Sequence, residues 1–559
     1  MRMSPIVVLL LTSCSMYKSK TPMEGVLDAE TRQETKPMPK KEAKKADKAR
    51  AKEERAKADM AEQEPMMYGI MDGLQGGAAP SGAVPMSPQA QEMVRLQKNM
   101  EEPPPPEPKV VNQDEYTDHG VNPFVDTTKD HLSTFSIDVD TASYTQARRR
   151  IQDGMLPNLA SVRVEEFINY FDYHYDSTDA NPFIVHMEGM KDPFRADHHI
   201  LRVGVQGKRL TQKERPSLRL TFLVDISGSM SSPDKLPLAQ KSMHMLVDSL
   251  RDDDSVSLVT YAGAVRKILA PTYGDDKKAI HEAIDQLMAG GSTAMSSGLD
   301  LAYEQAWESF KEGAENRVVI LSDGDANVGN TSWESMLSQI KSYADRGVTV
   351  STIGLGMGNY KDTRMEQLAN KGDGNNYYVD SQEEAQKIFV DGFLGTMITI
   401  ARDVKIQMDF NPETVSSYRL IGYENRDIAD EDFRNDRVDA GEVGAGHSVT
   451  ALYELQLKSP AKMDTVATAR IRYEDPGADK AAKERAFLFR AEQIRETPSS
   501  GLALAYTAAG FAEVLRKSPY AKAFSLSQLH EYGKKNVRDT DKYTNELLDL
   551  ISKANGMEG

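Results

Sequence analysis

The chain of 559 residues has a single cysteine, Cys14, so no disulfide framework and no thiolate cluster can organise it. It lacks any run of about 20 apolar residues, which excludes a membrane-spanning helix. A basic excess is missing too: 68 Lys and Arg stand against 85 Asp and Glu, a net charge of −17 that argues against a general nucleic-acid binder. What is present, 39% hydrophobic and 27% charged residues, is a soluble composition. The length is too great for one core, and roughly 150 residues per domain suggests about three folded units.

The first residues differ from the rest. Met1-Arg2-Met3-Ser4-Pro5 leads into the apolar run Ile6 to Leu11 and then Thr12-Ser13-Cys14. This resembles a bacterial lipoprotein signal, over residues 1–14, with Leu11 to Cys14 as the lipobox and Cys14 as the lipid-modified first residue of the mature chain. The apolar run is shorter than a usual signal core of about 7–15 residues. The resemblance implies a bacterial cell-envelope protein held to the membrane by lipid on Cys14, with Ser15 directing it to the outer membrane. Residues 15–114 then offer nothing to pack: a Lys/Glu/Ala-rich run is followed by Gly/Met/Pro-rich sequence and EEPPPPEPK. They read as a disordered tether spanning roughly 55 Å root-mean-square.

Residues 115–215 form an N-terminal module in which LSTFSIDVD, FIVHMEG and ILRVGVQG read as strands and SYTQARRRIQ and VRVEEFINYFDY as helices. Over 216–395 strands and helices alternate, beginning LRLTFLVD and KLPLAQKSMHMLVDSL. Strands apolar on both faces and separated by helices imply a doubly wound, Rossmann-like α/β fold with a parallel sheet. Over 396–480 the apolar period returns to two, as in DVKIQMDF and SVTALYELQL, which reads as an antiparallel β-domain. Strands of this type flank the α/β unit on both sides and suggest one β-sandwich interrupted by an insertion. Residues 481–559 read as a helical C-terminal region, with helices near 500–516 and 525–554.

Three segments fall at strand ends or loops on one edge of the α/β sheet: Asp225-Ile226-Ser227-Gly228-Ser229, Gly290-Gly291-Ser292-Thr293-Ala294 and Ser322-Asp323-Gly324. They offer carboxylates and hydroxyls only, a donor set for Mg²⁺, with Mn²⁺ or Ca²⁺ as alternatives. The absence of His and Cys from these segments argues against zinc. Gly228 is expected to relax the backbone between the two serines. Asp225, Ser227, Ser229, Thr293 and Asp323 resemble the metal-ion-dependent adhesion site of von Willebrand factor A domains. That resemblance implies that Ser227, Ser229 and, in some states, Thr293 bind the ion directly, while Asp225 and Asp323 act mostly through water. It also implies a protein partner whose acidic side chain completes the shell. FSIDVDTASYTQARR and the region from Gly395 to Glu454 resemble, more narrowly, the bacterial YfbK-like lipoproteins, which carry such flanks around a von Willebrand A domain.

Other motifs compete for attention. Asp138-Val139-Asp140-Thr141-Ala142 matches the start of a phosphatase nucleophile loop, but Ala142 breaks the pattern, and capping of the helix near Ser143 is the plainer reading. Asp323, Asp325, Asn327 and Glu334 have calcium-loop spacing, yet Val328 stands where glycine is required; Asp325 and Asn327 are read as bordering the adhesion site. Gly354-Leu355-Gly356-Met357-Gly358 is not a dinucleotide fingerprint, and His281-Glu282 lacks a second histidine and reads as a solvent-facing helix pair. The expected function is therefore non-catalytic adhesion or scaffolding by a lipid-anchored head that binds protein through Mg²⁺. The alternatives are a metal-dependent hydrolase using the same ion, disfavoured because no His or Lys lies in the three loops, and a metal-free structural lipoprotein.

Overall fold

The computed structural model describes residues 116–177, 181–291, 295–324, 332–356, 362–458, 463–476, 481–538 and 540–557. Cys14, the tether, Thr293, Asp325 and Asn327 lie outside them. In chain order the strands are β1 (Val125–Asp126), β2 (Leu132–Ser136), β3 (Phe183–Lys191), β4 (His198–Gly207), β5 (Leu218–Asp225), β6 (Ser255–Tyr261), β7 (Arg266–Tyr273), β8 (Glu315–Ser322) and β9 (Val348–Leu355). They continue as β10 (Asn376–Val379), β11 (Thr399–Phe410), β12 (Val415–Ile421), β13 (Gly441–Gly444), β14 (Ser448–Leu457), β15 (Thr465–Glu474), β16 (Lys483–Arg490) and β17 (Ile494–Arg495).

Strands β5, β6, β8 and β9 are buried at every position, which is why their sequences run apolar without alternation. They form the middle of a sheet ordered β10-β9-β8-β5-β6-β7, parallel except for the edge strand β7. Helices cover both faces. Leu236–Asp248 and Lys277–Asp285 bury Leu246, Val247, Ile280 and Ile284 on one side. On the other, Met295–Glu308, Trp333–Ala344 and Asp362–Lys371 bury Leu299, Tyr303, Ile340 and Leu368. This is the doubly wound unit that the alternation implies.

The flanking strands close into one sandwich. One sheet runs β1-β12-β14-β4-β3-β17 and the other β13-β11-β15-β16, with β2 also on β11. The decisive pairing is β4 with β14, antiparallel from His198↔Gln456 to Ser448↔Gln206, because β4 precedes the α/β unit and β14 follows it. Phe135, Val203, Ile406, Val449 and Ile471 meet between the sheets. Segments 115–215 and 396–480, although separate in sequence, thus build the same two sheets.

One boundary needs correction. The region 481–559 is not helical from its start: Lys483–Arg490 is edge strand β16, paired to β15 from Thr465↔Arg490 to Tyr473↔Lys483. Exposed Leu488 falls between Phe487 and Phe489, so the apolar residues run together and the alternation that would have marked the strand is lost. Helices Ser500–Leu515, Leu526–Asn536 and Lys542–Met557 follow. They pack with the N-terminal helices Ala142–Gln152 and Val164–Asn169 through Tyr144, Phe167, Leu502, Phe511 and Leu547.

Candidate functional site

Asp225 is the last residue of β5 and is fully buried. With β6 and β8 hydrogen-bonded on either side, the chain leaving β5 emerges at the carboxyl edge of the sheet, between its neighbours' loops. Main-chain bonds stitch these loops together: Ile226 N–H donates to Tyr261 O (3.1 Å), Gly290 N–H to Ile226 O (2.7 Å) and Gly228 N–H to Gly291 O (3.0 Å). The glycine that this geometry requires is Gly291, at φ +96°, where a Cβ would also meet Gly263 N at 3.1 Å. Gly228 has no such constraint, since its added Cβ would meet only Gly291 O at 3.7 Å. The expectation that Gly228 relaxes the turn therefore gives way to Gly291.

The side chains divide by role. Asp225 Oδ1 accepts the Ser227 N–H at 2.8 Å, and its Oδ2 accepts the Ser322 hydroxyl at 3.3 Å. Ser227 Oγ and Ser229 Oγ lie 2.9 Å apart, the first residue buried and the second exposed. Asp323 is buried, 1% exposed, at the end of β8. Burial pushes the Asp225 carboxyl up to about 6, and Asp323 adds to the shift while the Ser227 bonds oppose it. The structure thus brings Asp225, Ser227, Ser229 and Asp323 together. Among the described residues no three His, Cys, Asp or Glu side chains are placed to share one metal ion, so this cluster relies on its hydroxyls.

The sequence reading missed Lys235. Its Nζ donates to Asp323 Oδ2 at 2.9 Å, and the residue is only 9% exposed. It lies ten positions beyond Asp225, just before helix Leu236–Asp248, and so outside all three loops. Its stem crosses Gly356, where a Cβ would fall 2.4 Å from Lys235 Cγ and Cε, and φ is +71°. Gly356 therefore gives Lys235 a path to Asp323, a use for the glycine-rich turn unrelated to nucleotides. Its carbonyl is held by the Tyr378 hydroxyl at 2.7 Å. The visible signal was a lone lysine before an apolar helix face, which does not reveal where its head goes.

The other acidic strand end is sealed. Arg426 donates to Asp138 Oδ2 (3.0 Å), Asp140 Oδ2 (3.2 Å) and Glu366 Oε1 (3.2 Å). Asp140 Oδ1 also accepts the Asn376 N–H of β10 at 2.8 Å. Burial, and then Asp138, hold the Asp140 carboxyl well above its ordinary range, against the pull of Arg426. The capping expectation also fails: Thr141 makes no side-chain cap, and Glu166 Oε2 accepts the Ser143 N–H at 2.7 Å instead. These carboxylates clip the sandwich to the α/β unit.

Known proteins agree with this architecture. The profile described as von Willebrand factor type A domain matches residues 220–391, and that described as von Willebrand factor matches 110–202. A third, "Uncharacterized protein YfbK, C-terminal", matches 395–557. The Escherichia coli (strain K12) protein described as "Uncharacterized protein YfbK" is 37% identical over 463 residues, 78% of this chain and 80% of its own. The chain belongs to the YfbK family of von Willebrand A domain proteins. A Synechocystis relative, sll0103, is 28% identical over 189 residues, 34% of this chain and 44% of its own length. Among solved structures, a von Willebrand factor type A protein from Catenulispora acidiphila aligns over 65% of this chain and 88% of that one, with 15% identity and a TM-score of 0.40. The profile match over 220–391 makes the α/β unit of this YfbK-family chain a von Willebrand A domain, the class to which the adhesion-site expectation refers.

Proposed function

We propose that this YfbK-family protein docks a partner protein through a divalent cation held at the carboxyl edge of its von Willebrand A sheet. The observation that carries the reading is the 2.9 Å separation of Ser227 Oγ and Ser229 Oγ. Two oxygens bound side by side at the 2.0–2.1 Å typical of Mg²⁺ lie about 2.9 Å apart in an octahedron. Asp225 aligns the loop, Asp323 supplies a second carboxylate, and Thr293 is the proposed fifth member. Exposed Ser229 leaves the cluster approachable from solvent.

Charge favours docking over turnover. Asp225 and Asp323 carry two formal negative charges and Lys235 one positive, so a bound dication leaves a local excess of one positive charge. A partner's Asp or Glu would be drawn to it. Lys235 is committed to Asp323 in an ion pair and is not placed as a general base, so the reading remains non-catalytic. We further propose that lipid on Cys14 anchors the protein in a bacterial envelope, in the outer membrane, with the 15–114 segment as spacer.

The test is a pull-down from envelope extract with the purified chain, in Mg²⁺ or EDTA, beside Asp225→Ala. A partner retained in Mg²⁺ and lost in both other arms supports docking through the ion; partners indifferent to both overturn it. Palmitate labelling of cells expressing the native chain or Cys14→Ser tests the anchor separately.

A further inference from the structure

Helices Leu236–Asp248 and Lys277–Asp285 pack antiparallel and are pinned at both ends. Gln240 donates to the Ile284 carbonyl at 2.9 Å, and Lys277 Nζ donates to the Asp248 carbonyl at 2.7 Å. Between these pins His244 Nδ1 and His281 Nδ1 stand 2.6 Å apart. Their ring centroids are 4.8 Å apart, the spacing of imidazoles that meet vertex to vertex. Each distal nitrogen meets a carboxylate: His244 Nε2 lies 3.1 Å from Asp285 Oδ1, and His281 Nε2 lies 3.1 Å from Asp248 Oδ1.

An ionised carboxylate only accepts, so these contacts place a proton on each Nε2. Two neutral rings would then aim lone pairs at each other across 2.6 Å, which calls for a cation between them. A carboxylate on the distal nitrogen is also the usual support of a metal-binding histidine, because it fixes the tautomer that leaves the other nitrogen free. We propose that His244 and His281 form a second, independent metal site, for a transition ion of the Zn²⁺, Ni²⁺ or Cu²⁺ class that favours imidazole. The two rings supply the protein ligands and water completes the shell. Zn–N bonds of about 2.0–2.1 Å at a tetrahedral angle set the nitrogens about 3.3 Å apart, a widening of under about 1 Å. The side chains, 29% and 27% exposed, have room to open by that amount. The bound ion would clamp the helix that starts beside Lys235 to its neighbour.

The experiment is calorimetric titration of Zn²⁺ into the full chain, with excess Mg²⁺ present to occupy the loop cluster. One equivalent is expected, weakened at least tenfold in both His244→Gln and His281→Gln and unchanged in His530→Gln. Equal isotherms for the native chain and the two variants would show that the pair shares only a proton and would overturn the site. If either variant loses its native circular dichroism, Cu²⁺ electron paramagnetic resonance of the unsubstituted chain decides. Hyperfine coupling to two imidazole nitrogens at one equivalent is expected, and an oxygen-only spectrum contradicts the proposal.

Discussion

Two acidic strand ends in this molecule look alike in sequence and do different work. Asp138-Val139-Asp140-Thr141 follows β2, and Asp225-Ile226-Ser227-Gly228-Ser229 ends β5 and continues beyond it. At the first, Arg426 bridges Asp138, Asp140 and Glu366, and no hydroxyl pair faces solvent from the turn. At the second, Ser227 and Ser229 pair their hydroxyls at an exposed edge while Lys235 meets only Asp323 of the two carboxylates. Carboxylates alone therefore do not distinguish a clip from the proposed binding site; what separates the two strand ends is the guanidinium that seals one and the hydroxyls that the other presents.

The contrast breaks most readily at the clip. Arg426→Ala should cost about 3–5 kcal/mol, because it strands buried carboxylates, and denaturant unfolding should show this loss whether or not Mg²⁺ is present. Next comes Glu165, packed beside the clip, whose Oε2 accepts the Tyr423 N–H at 2.9 Å. Burial, then Glu424 and Asp138, push its carboxyl up to about 7. The native state thus retains a proton that the unfolded chain releases near 4.5, and the stability present below about pH 4.5 is lost as pH rises to about 7. Glu165→Gln should remove that slope and gain on the order of 2–3 kcal/mol above pH 7, read from unfolding midpoints across pH.

At the loop cluster the effects are smaller and differ in kind. Gly291→Ala should cost about 1–3 kcal/mol, because its positive φ strains any Cβ, whereas Gly228→Ala should stay within about 0.5 kcal/mol. Thermal unfolding of the pair would reverse the assignment if Gly228 proved the more sensitive. Lys235→Met, which removes the cation already beside Asp323, should tighten Mg²⁺ binding roughly tenfold, or about 1.4 kcal/mol, and should lower the thermal midpoint of the metal-free protein, because Asp323 is buried. An unchanged Mg²⁺ affinity would show that Lys235 does not compete for the site.

Much of the fold was legible because its burial is regular. Strands apolar and buried on both faces wrote continuous apolar runs for β5, β6, β8 and β9, and β4, β11 and β14, which turn one apolar face to the sandwich interior and carry polar residues on the other, wrote alternation. Long-range pairing left only a hint: nothing local in ILRVGVQG specifies that it aligns with SVTALYELQL some 250 positions later. At the proposed site, the convergence of Asp225, Ser227, Ser229 and Asp323 was readable because strand ends on one sheet edge must come together. Lys235 was not, because its reach depends on the gap left by Gly356, and neither was Arg426, whose three acidic partners come from distant segments. His244 was invisible as a partner of His281 for the same reason, since the two lie on different helices.

The central claim is that the β5 edge is a cation site built on paired hydroxyls. Calorimetric titration of Mg²⁺ into the metal-stripped native chain and into Ser227→Ala tests it most directly. One Mg²⁺ per native chain, with affinity at least tenfold weaker in Ser227→Ala and both proteins equally stable without metal, is the predicted result. No binding to the native chain, or binding that Ser227→Ala leaves unchanged, would contradict it.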